Sequence, residues 1–535
     1  AMRLSRPQAS AALACLLISV AVLAVAYQQS LLGGGVDRNE RPHASPQPKF
    51  RLANVMGKHM VLQRSPAKSR VWGWCSGVGC AEDMLVTVGQ HTVSGTKRKG
   101  AGSVSEEAWE VLLPPFEAGG PWEMTVALHG EVRVLGDILF GDVFIFTGQS
   151  NMQFSTALSQ DNSLFTGAKE HKTIRLLTAG VEGNAWKDEP AKEVPHLLQT
   201  WSSPSFGALG GKLLDEEFPE YFSAVAWNFA LYQQQSYPDV PIGLVVSAAN
   251  GAAIQTMSPP QALIECADVL PDPTEAECCP WKPGTMWNGM LHPLAPMVFA
   301  GTLFYQGESN VLTNDYYNCA FPAFVTAWRD IVGRDDPFVF AMIHPFPYIV
   351  NDVVYLPRMR AQQLEFARAL PGTAIAVTTD LGDHLSPAGS LHPRNKTMVA
   401  RRMADAMQRL REGRPAEPPQ FTHASTGVVL GTPAVRLHSN TPITLAQDRV
   451  SCPSGRLAGE PWEKYCASLL IQAGGRGWME PTDVLLSDDA MSAVALTDVK
   501  SVDDIVAVRY CVADWPVPVF FDADGVPLVQ FDRTL

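Results

Sequence analysis

The stretch Val143-Phe144-Ile145-Phe146-Thr147-Gly148-Gln149-Ser150-Asn151-Met152 sets the fold expected for this chain. Its first five residues are apolar or β-branched and read as a strand buried on both faces. Gly148 then lets the backbone turn sharply as it leaves the sheet. If the strand lies in a parallel sheet, Ser150 stands at its carboxyl end, where open α/β sheets place their ligand crevices. A hydroxyl there becomes a nucleophile when a base reaches it. Alone, the same serine reads as a helix N-cap.

Similar strands follow downstream: Ile242–Ser247, Gly301–Tyr305, Pro337–Ala341 and Thr373–Thr378. Helix-like stretches near 223–236, 315–331, 357–369 and 395–411 lie between them. Alternating strands and helices of this kind predict an α/β fold with a parallel sheet covered on both faces. The connections 155–222 and 252–288 exceed a minimal crossover, and long insertions at strand ends usually serve as functional walls or lids. On the amino-terminal side, residues 49–137 carry short alternating segments at turn-punctuated spacing. These include Arg70-Val71-Trp72-Gly73-Trp74 and Met84-Leu85-Val86-Thr87-Val88. They predict a β-sandwich module, with tryptophans read as core rather than as sugar platforms. Short strands return over 416–535 and predict a second β-rich module. The catalytic domain is thus expected over 138–415.

The first residues have a different character. Arg3 and Arg6 precede an apolar run from Ala11 to Tyr27 that ends near Ala24-Val25-Ala26, the pattern of a secretory signal peptide over 1–27. A retained signal-anchor is the alternative, and only that alternative would tie the protein to a membrane. Residues 28–48, with Gly33-Gly34-Gly35 and several prolines, read as a flexible stem. Either reading sends the chain into the secretory pathway, as a secreted, lumenal, lysosomal or type II membrane-anchored protein. Several of its 10 cysteines should then pair. Cys75 with Cys80 and Cys452 with Cys466 are local candidates, and Cys266, Cys278, Cys279 and Cys319 can staple one region.

The composition excludes some functions. A net charge of −13 makes the body a poor candidate for nucleic-acid binding, which needs basic patches. There is no zinc-type Cys/His spacing and no phosphate loop. With 46% hydrophobic residues the chain is globular rather than disordered.

Two more stretches decide between nucleophile and cap. Phe304-Tyr305-Gln306-Gly307-Glu308-Ser309-Asn310 follows a buried strand. Ser390-Leu391-His392-Pro393-Arg394-Asn395-Lys396 follows the last strand and the loop Asp380-Leu381-Gly382-Asp383. All three stretches lie at carboxyl ends of predicted parallel strands, so a serine, a histidine and a carboxylate can meet in one crevice. Acyl transfer needs that set: a base for the hydroxyl proton, an acid to orient the base, and donors for the oxyanion.

G-Q-S-N-M, Y-Q-G-E-S-N and S-L-H-P-R-N-K together resemble the sialate O-acetylesterases, a branch of the SGNH hydrolases. Met60-Val61-Leu62-Gln63, Phe140-Gly141-Asp142-Val143, Trp287-Asn288-Gly289-Met290-Leu291-His292-Pro293 and Val508-Arg509-Tyr510 extend the resemblance over about 49 to 535. The resemblance implies a flavodoxin-like SGNH sheet and an esterase without metal or organic cofactor. Its substrate would be an O-acetylated sialic acid, with Ser150 as nucleophile and His392 as base. Position 152 is Met, so the pattern is not the G-x-S-x-G elbow of α/β-hydrolases. The acid is expected at Glu308, by similarity to the related acetylxylan esterases, with Asp383 and then Asp380 as rivals. Many SGNH enzymes carry Asp three residues before the His, but Gly389 stands there.

The oxyanion stretch departs from the family's S-W-G-G-T as Ala248-Ala249-Asn250-Gly251-Ala252. Backbone N–H groups of Asn250 or Gly251, the Gln306 amide and the N–H of Ser150 are the expected donors. His292 is expected to be structural and Arg394 to pair with a neighbouring acid. The sequon Asn395-Lys396-Thr397 is expected to carry no glycan. Two other functions are open: an esterase for acetylated xylan or another acetylated glycan, and a catalytically silent glycan-binding protein.

Overall fold

The computed structural model describes residues 50–98, 106–161, 167–180, 185–210, 222–269, 282–346, 349–350, 353–446, 456–457, 460–461 and 466–535. The expected signal segment, the stem, Cys278, Cys279 and Cys452 lie outside them. No described helix is long and apolar enough to cross a membrane.

Seven strands form the main path of an eleven-stranded central sheet: β1 (Glu131–Gly148), β2 (Ile174–Ala179), β3 (Leu197–Ser202), β4 (Ile242–Ala248), β5 (Gly301–Tyr305), β6 (Phe338–Ala341) and β7 (Thr373–Ala376). Their order is β3-β2-β4-β1-β5-β6-β7. All neighbours are parallel except β2 with β3, so the sheet is mixed rather than wholly parallel. The helices that follow strand ends include α1 (Ser150–Gln153), α2 (Ala224–Ser236), α3 (Asn314–Val332), α4 (Leu356–Ala369) and α5 (Lys396–Arg411).

The alternation of side chains along each strand explains the two-sided cover. Ile145, Val245, Phe304 and Phe340 enter one core with Phe321, Trp328 and Met359 of α3 and α4. Their neighbours Phe144, Phe146, Leu244, Leu303 and Val339 enter the other with Phe229 of α2 and Met403 of α5. Strand β1 shows the transition directly. Its first half is half-exposed and pairs antiparallel with Gly119–Leu128, and its second half is buried throughout between β4 and β5. One strand therefore runs through position 138, where the boundary between amino-terminal and catalytic modules is expected.

Strands β2 and β3 fall within 155–222, which reads from sequence as an insertion. Arg175 interrupts the apolar run of β2, and its guanidinium is buried against Asp137 at 2.8 Å. A charge at the second position of the strand hides it from a hydropathy reading.

Around the sheet, Phe50–Leu52, Arg70–Cys75, Glu107–Leu112 and Thr96–Lys97 form a four-stranded sheet. Near the carboxyl terminus two more four-stranded sheets, one containing Phe421–Val429 and one containing Ile505–Tyr510, share a core that includes Phe421, Tyr510 and Phe520. Disulfides join Cys75 to Cys80 and Cys266 to Cys319, and Cys466 is also disulfide-bonded.

Candidate active site

Strand ends build the site. Gly148 has φ +140°, and a Cβ added there would stand 2.1 Å from the carbonyl oxygen of Tyr305 on the neighbouring strand. Only glycine fits, and the backbone turns there into α1. Gln149 fastens the turn: its N–H donates to the Tyr305 carbonyl at 3.0 Å, and its side-chain oxygen accepts from the N–H of Ser309 at 3.1 Å. Ser150 is thereby fixed as the first residue of α1 and is 2% exposed.

His392 comes from the loop between β7 and α5. Its Nε2 lies 2.8 Å from the Ser150 hydroxyl. Its Nδ1 lies 3.1 Å from the Ala388 carbonyl. A carbonyl can only accept, so Nδ1 carries the proton and Nε2 presents a lone pair to the serine. Burial lowers the imidazole below its ordinary value; the Ala388 carbonyl opposes this and the charge of Lys396 adds to it. The Phe154 ring stacks beside the imidazole, with centroids 6.3 Å apart.

The expected acid, Glu308, stands one hydrogen bond away from this pair. Asn151 donates through Nδ2 to Glu308 Oε1 at 2.7 Å and to the Leu391 carbonyl at 3.0 Å. Glu308 thus reaches the histidine turn through Asn151. Burial raises its carboxyl, and its own N–H, Asn151 and Lys396 oppose that shift. Both rivals are held by arginines. Arg394 Nε meets Asp383 Oδ2 at 2.6 Å, and the guanidinium of Arg402 grips Asp380 through two bonds of 2.6 and 2.7 Å.

The expected oxyanion residues follow the ends of β4 and β5. Strand β4 ends at Ala248, and the chain turns through exposed Asn250 and Gly251, whose φ is +65°. Ser309 Oγ donates to the Gly251 carbonyl at 2.9 Å and fixes the turn. The Gln306 amide donates to the Ala252 carbonyl at 3.2 Å and to Asn310 Oδ1 at 2.8 Å. Both of its hydrogens are engaged in holding this loop. His292 lies apart from the pair, half-buried. Burial lowers its imidazole while a hydrogen bond with the Ala191 backbone raises it. Asn395 caps α5, accepting from the N–H of Met398 at 3.1 Å.

Three further residues matter here that a reading of the sequence does not single out. Asn151 and Lys396 sit inside recognisable stretches, but nothing in those stretches marks their contacts. His344, buried after β6, lies 2.9 Å from the Tyr305 hydroxyl and 3.6 Å from Glu308. A histidine just past a predicted strand end is the one signal that points to it.

A serine hydroxyl set on an imidazole at the carboxyl edge of an α/β sheet is the arrangement of serine hydrolases. The comparisons narrow the class. Residues 140–409 match the family model described as carbohydrate esterase, sialic acid-specific acetylesterase. The human sialate O-acetylesterase is 31% identical over 390 residues, covering 66% of this chain and 69% of that protein. The mouse sialate O-acetylesterase is 30% identical over 410 residues, covering 66% and 72%. A carbohydrate acetylesterase from Xanthomonas citri has the same fold, with a TM-score of 0.71 at 24% identity over 90% of this chain and 99% of that one. The chain belongs to the sialic acid-specific acetylesterase family of carbohydrate esterases.

Proposed function

We propose that the protein removes O-acetyl groups from sialic acids with Ser150 as nucleophile and His392 as base, on an SGNH-type, flavodoxin-like sheet flanked by β-sandwich modules. The observation that carries the chemistry is the 2.8 Å contact between Ser150 Oγ and His392 Nε2. Ser150 attacks the acetyl carbonyl as its proton passes to Nε2. The imidazolium returns that proton to the departing sugar oxygen, leaving acetyl-Ser150. Water then gives a proton to Nε2 and its oxygen to the acetyl carbon; the second tetrahedral intermediate breaks to acetate and the restored serine. The N–H groups of Ser150 and Gly251 serve the oxyanion, and Gln306 braces the loop that carries Gly251. The Ala388 carbonyl holds Nδ1–H, the tautomer-setting role that an aspartate has in other triads. The disulfides fit an oxidising, secretory location.

Acetate release from 9-O-acetylated sialic acid, acetylated xylan and an aryl acetate tests the substrate. The sialic acid is expected to be turned over with kcat/KM well above that for xylan. Preference for xylan would move the function to another glycan, and no release from any of the three would favour a binding protein.

A pH prediction follows from the base. Nε2 must be unprotonated, and burial holds His392 below its ordinary 6.5. The acid limb of kcat/KM should therefore be centred below 6.5. An acid limb centred above 6.5 would contradict this environment for the base.

A further inference from the structure

Lys396 is the first residue of α5 and is fully buried. Its ammonium lies 2.6 Å from Asn151 Oδ1 and over the rings of Phe154 and Tyr305, at 4.7 and 5.3 Å from their centroids. Buried ammonium groups are costly and are usually matched directly by a carboxylate. Here the amide of Asn151 stands between Lys396 and the buried carboxylate, taking the ammonium on its oxygen and giving its nitrogen to Glu308. The second hydrogen of that nitrogen goes to the carbonyl of Leu391, the residue before His392. The aromatic ring under the ammonium, Phe154, is also the ring stacked beside the His392 imidazole.

We propose that Lys396 is a positioning residue for the Ser150–His392 pair: through Asn151 it fixes the turn that carries His392, and its charge, set apart from Glu308 by that amide, keeps the imidazole neutral. This rests on the proposed roles of Ser150 and His392. The groups facing the ammonium come from every neighbouring element: Tyr305 at the end of β5 and Glu308 after it, His344 after β6, Asp383 and His392 from the loop before α5. Asp383 is taken up by Arg394. His344 is pushed well below its usual range, by burial first and then by Lys396, so it adds no positive charge of its own. Burial brings Lys396 itself down to about 7, with Glu308 and Asp383 opposing.

The test compares pH profiles of wild type, Lys396→Met and Lys396→Gln on an aryl acetate, with thermal melting to count folded protein. Gln keeps a donor for Asn151 but removes the charge; Met removes both. In both variants the acid limb of kcat/KM should move to higher pH, by about half to one unit. In Met alone kcat should fall a further factor of about ten to a hundred, the scale on which small misplacements of reacting groups act, with KM close to wild type. A role in stability alone would lower activity in proportion to folded protein and leave the limb in place; that result in Gln would overturn the proposal. If Ser150→Ala keeps activity, the catalytic reading fails. If Ser150→Ala is dead while the Gln limb is unmoved and the folded Met variant keeps its kcat, only the role of Lys396 fails.

Discussion

Ser150→Ala is expected to lower kcat for acetate release by about 10⁴-fold or more, with the fold and substrate binding kept. The change deletes one oxygen from a residue that is 2% exposed and opens a short helix. That oxygen's hydrogen bond is to His392 Nε2, and the imidazole is still held at Nδ1 by Ala388 and beside Phe154. The melting temperature should therefore barely move. His392→Ala should cost a similar factor, and the double variant little more than either alone, because nucleophile and base act as one unit. Additive losses in the double variant would mean that the two side chains act independently. Residual turnover, from backbone donors and binding, should exceed the uncatalysed rate.

Gly148→Ala is expected to damage the fold itself, by about 3 kcal/mol or more. The added Cβ would stand 2.1 Å from the Tyr305 oxygen and 2.7 Å from its carbonyl carbon, at a φ of +140° that side chains rarely adopt. The obstacle is the backbone of the adjacent parallel strand, which cannot swing aside as a side-chain end can. Relief requires parting β1 from β5 where Ser150 and Glu308 are positioned. Gly57→Ala is the control, since nothing lies within 4 Å of its added Cβ. Thermal unfolding of the two variants decides the point. A Gly148→Ala melt within about 2 °C of wild type would mean that the strands part more readily than their packing implies.

What the sequence could reveal followed from burial. Strands with apolar faces on both sides, such as Ile242–Ala248 and Gly301–Tyr305, are legible because a parallel interior strand leaves no polar alternation. The helices 224–236 and 314–332 likewise lie within a residue or two of where their patterns place them. Strand β2 was hidden by Arg175, whose partner Asp137 is 38 positions away. In the site, motif resemblance brought Ser150 and His392 forward, and the folded chain sets them 2.8 Å apart. The place of Glu308 was not legible. A carboxylate on the right loop can face the imidazole or a neighbouring amide, and only side-chain geometry shows Glu308 bonded to Asn151, which also holds the Leu391 carbonyl. Lys396 was hidden for a similar reason: a lysine at a helix start reads as solvated, yet this one is enclosed by Phe154, Tyr305 and Asn151.

The most direct test of the central claim is covalent labelling by a serine-directed fluorophosphonate, followed by peptide mapping. The adduct is expected on Ser150 alone, in step with loss of acetate release from 9-O-acetylated sialic acid, and much more slowly in His392→Ala. An adduct on another serine, or full acetate release from protein labelled at Ser150, would contradict it.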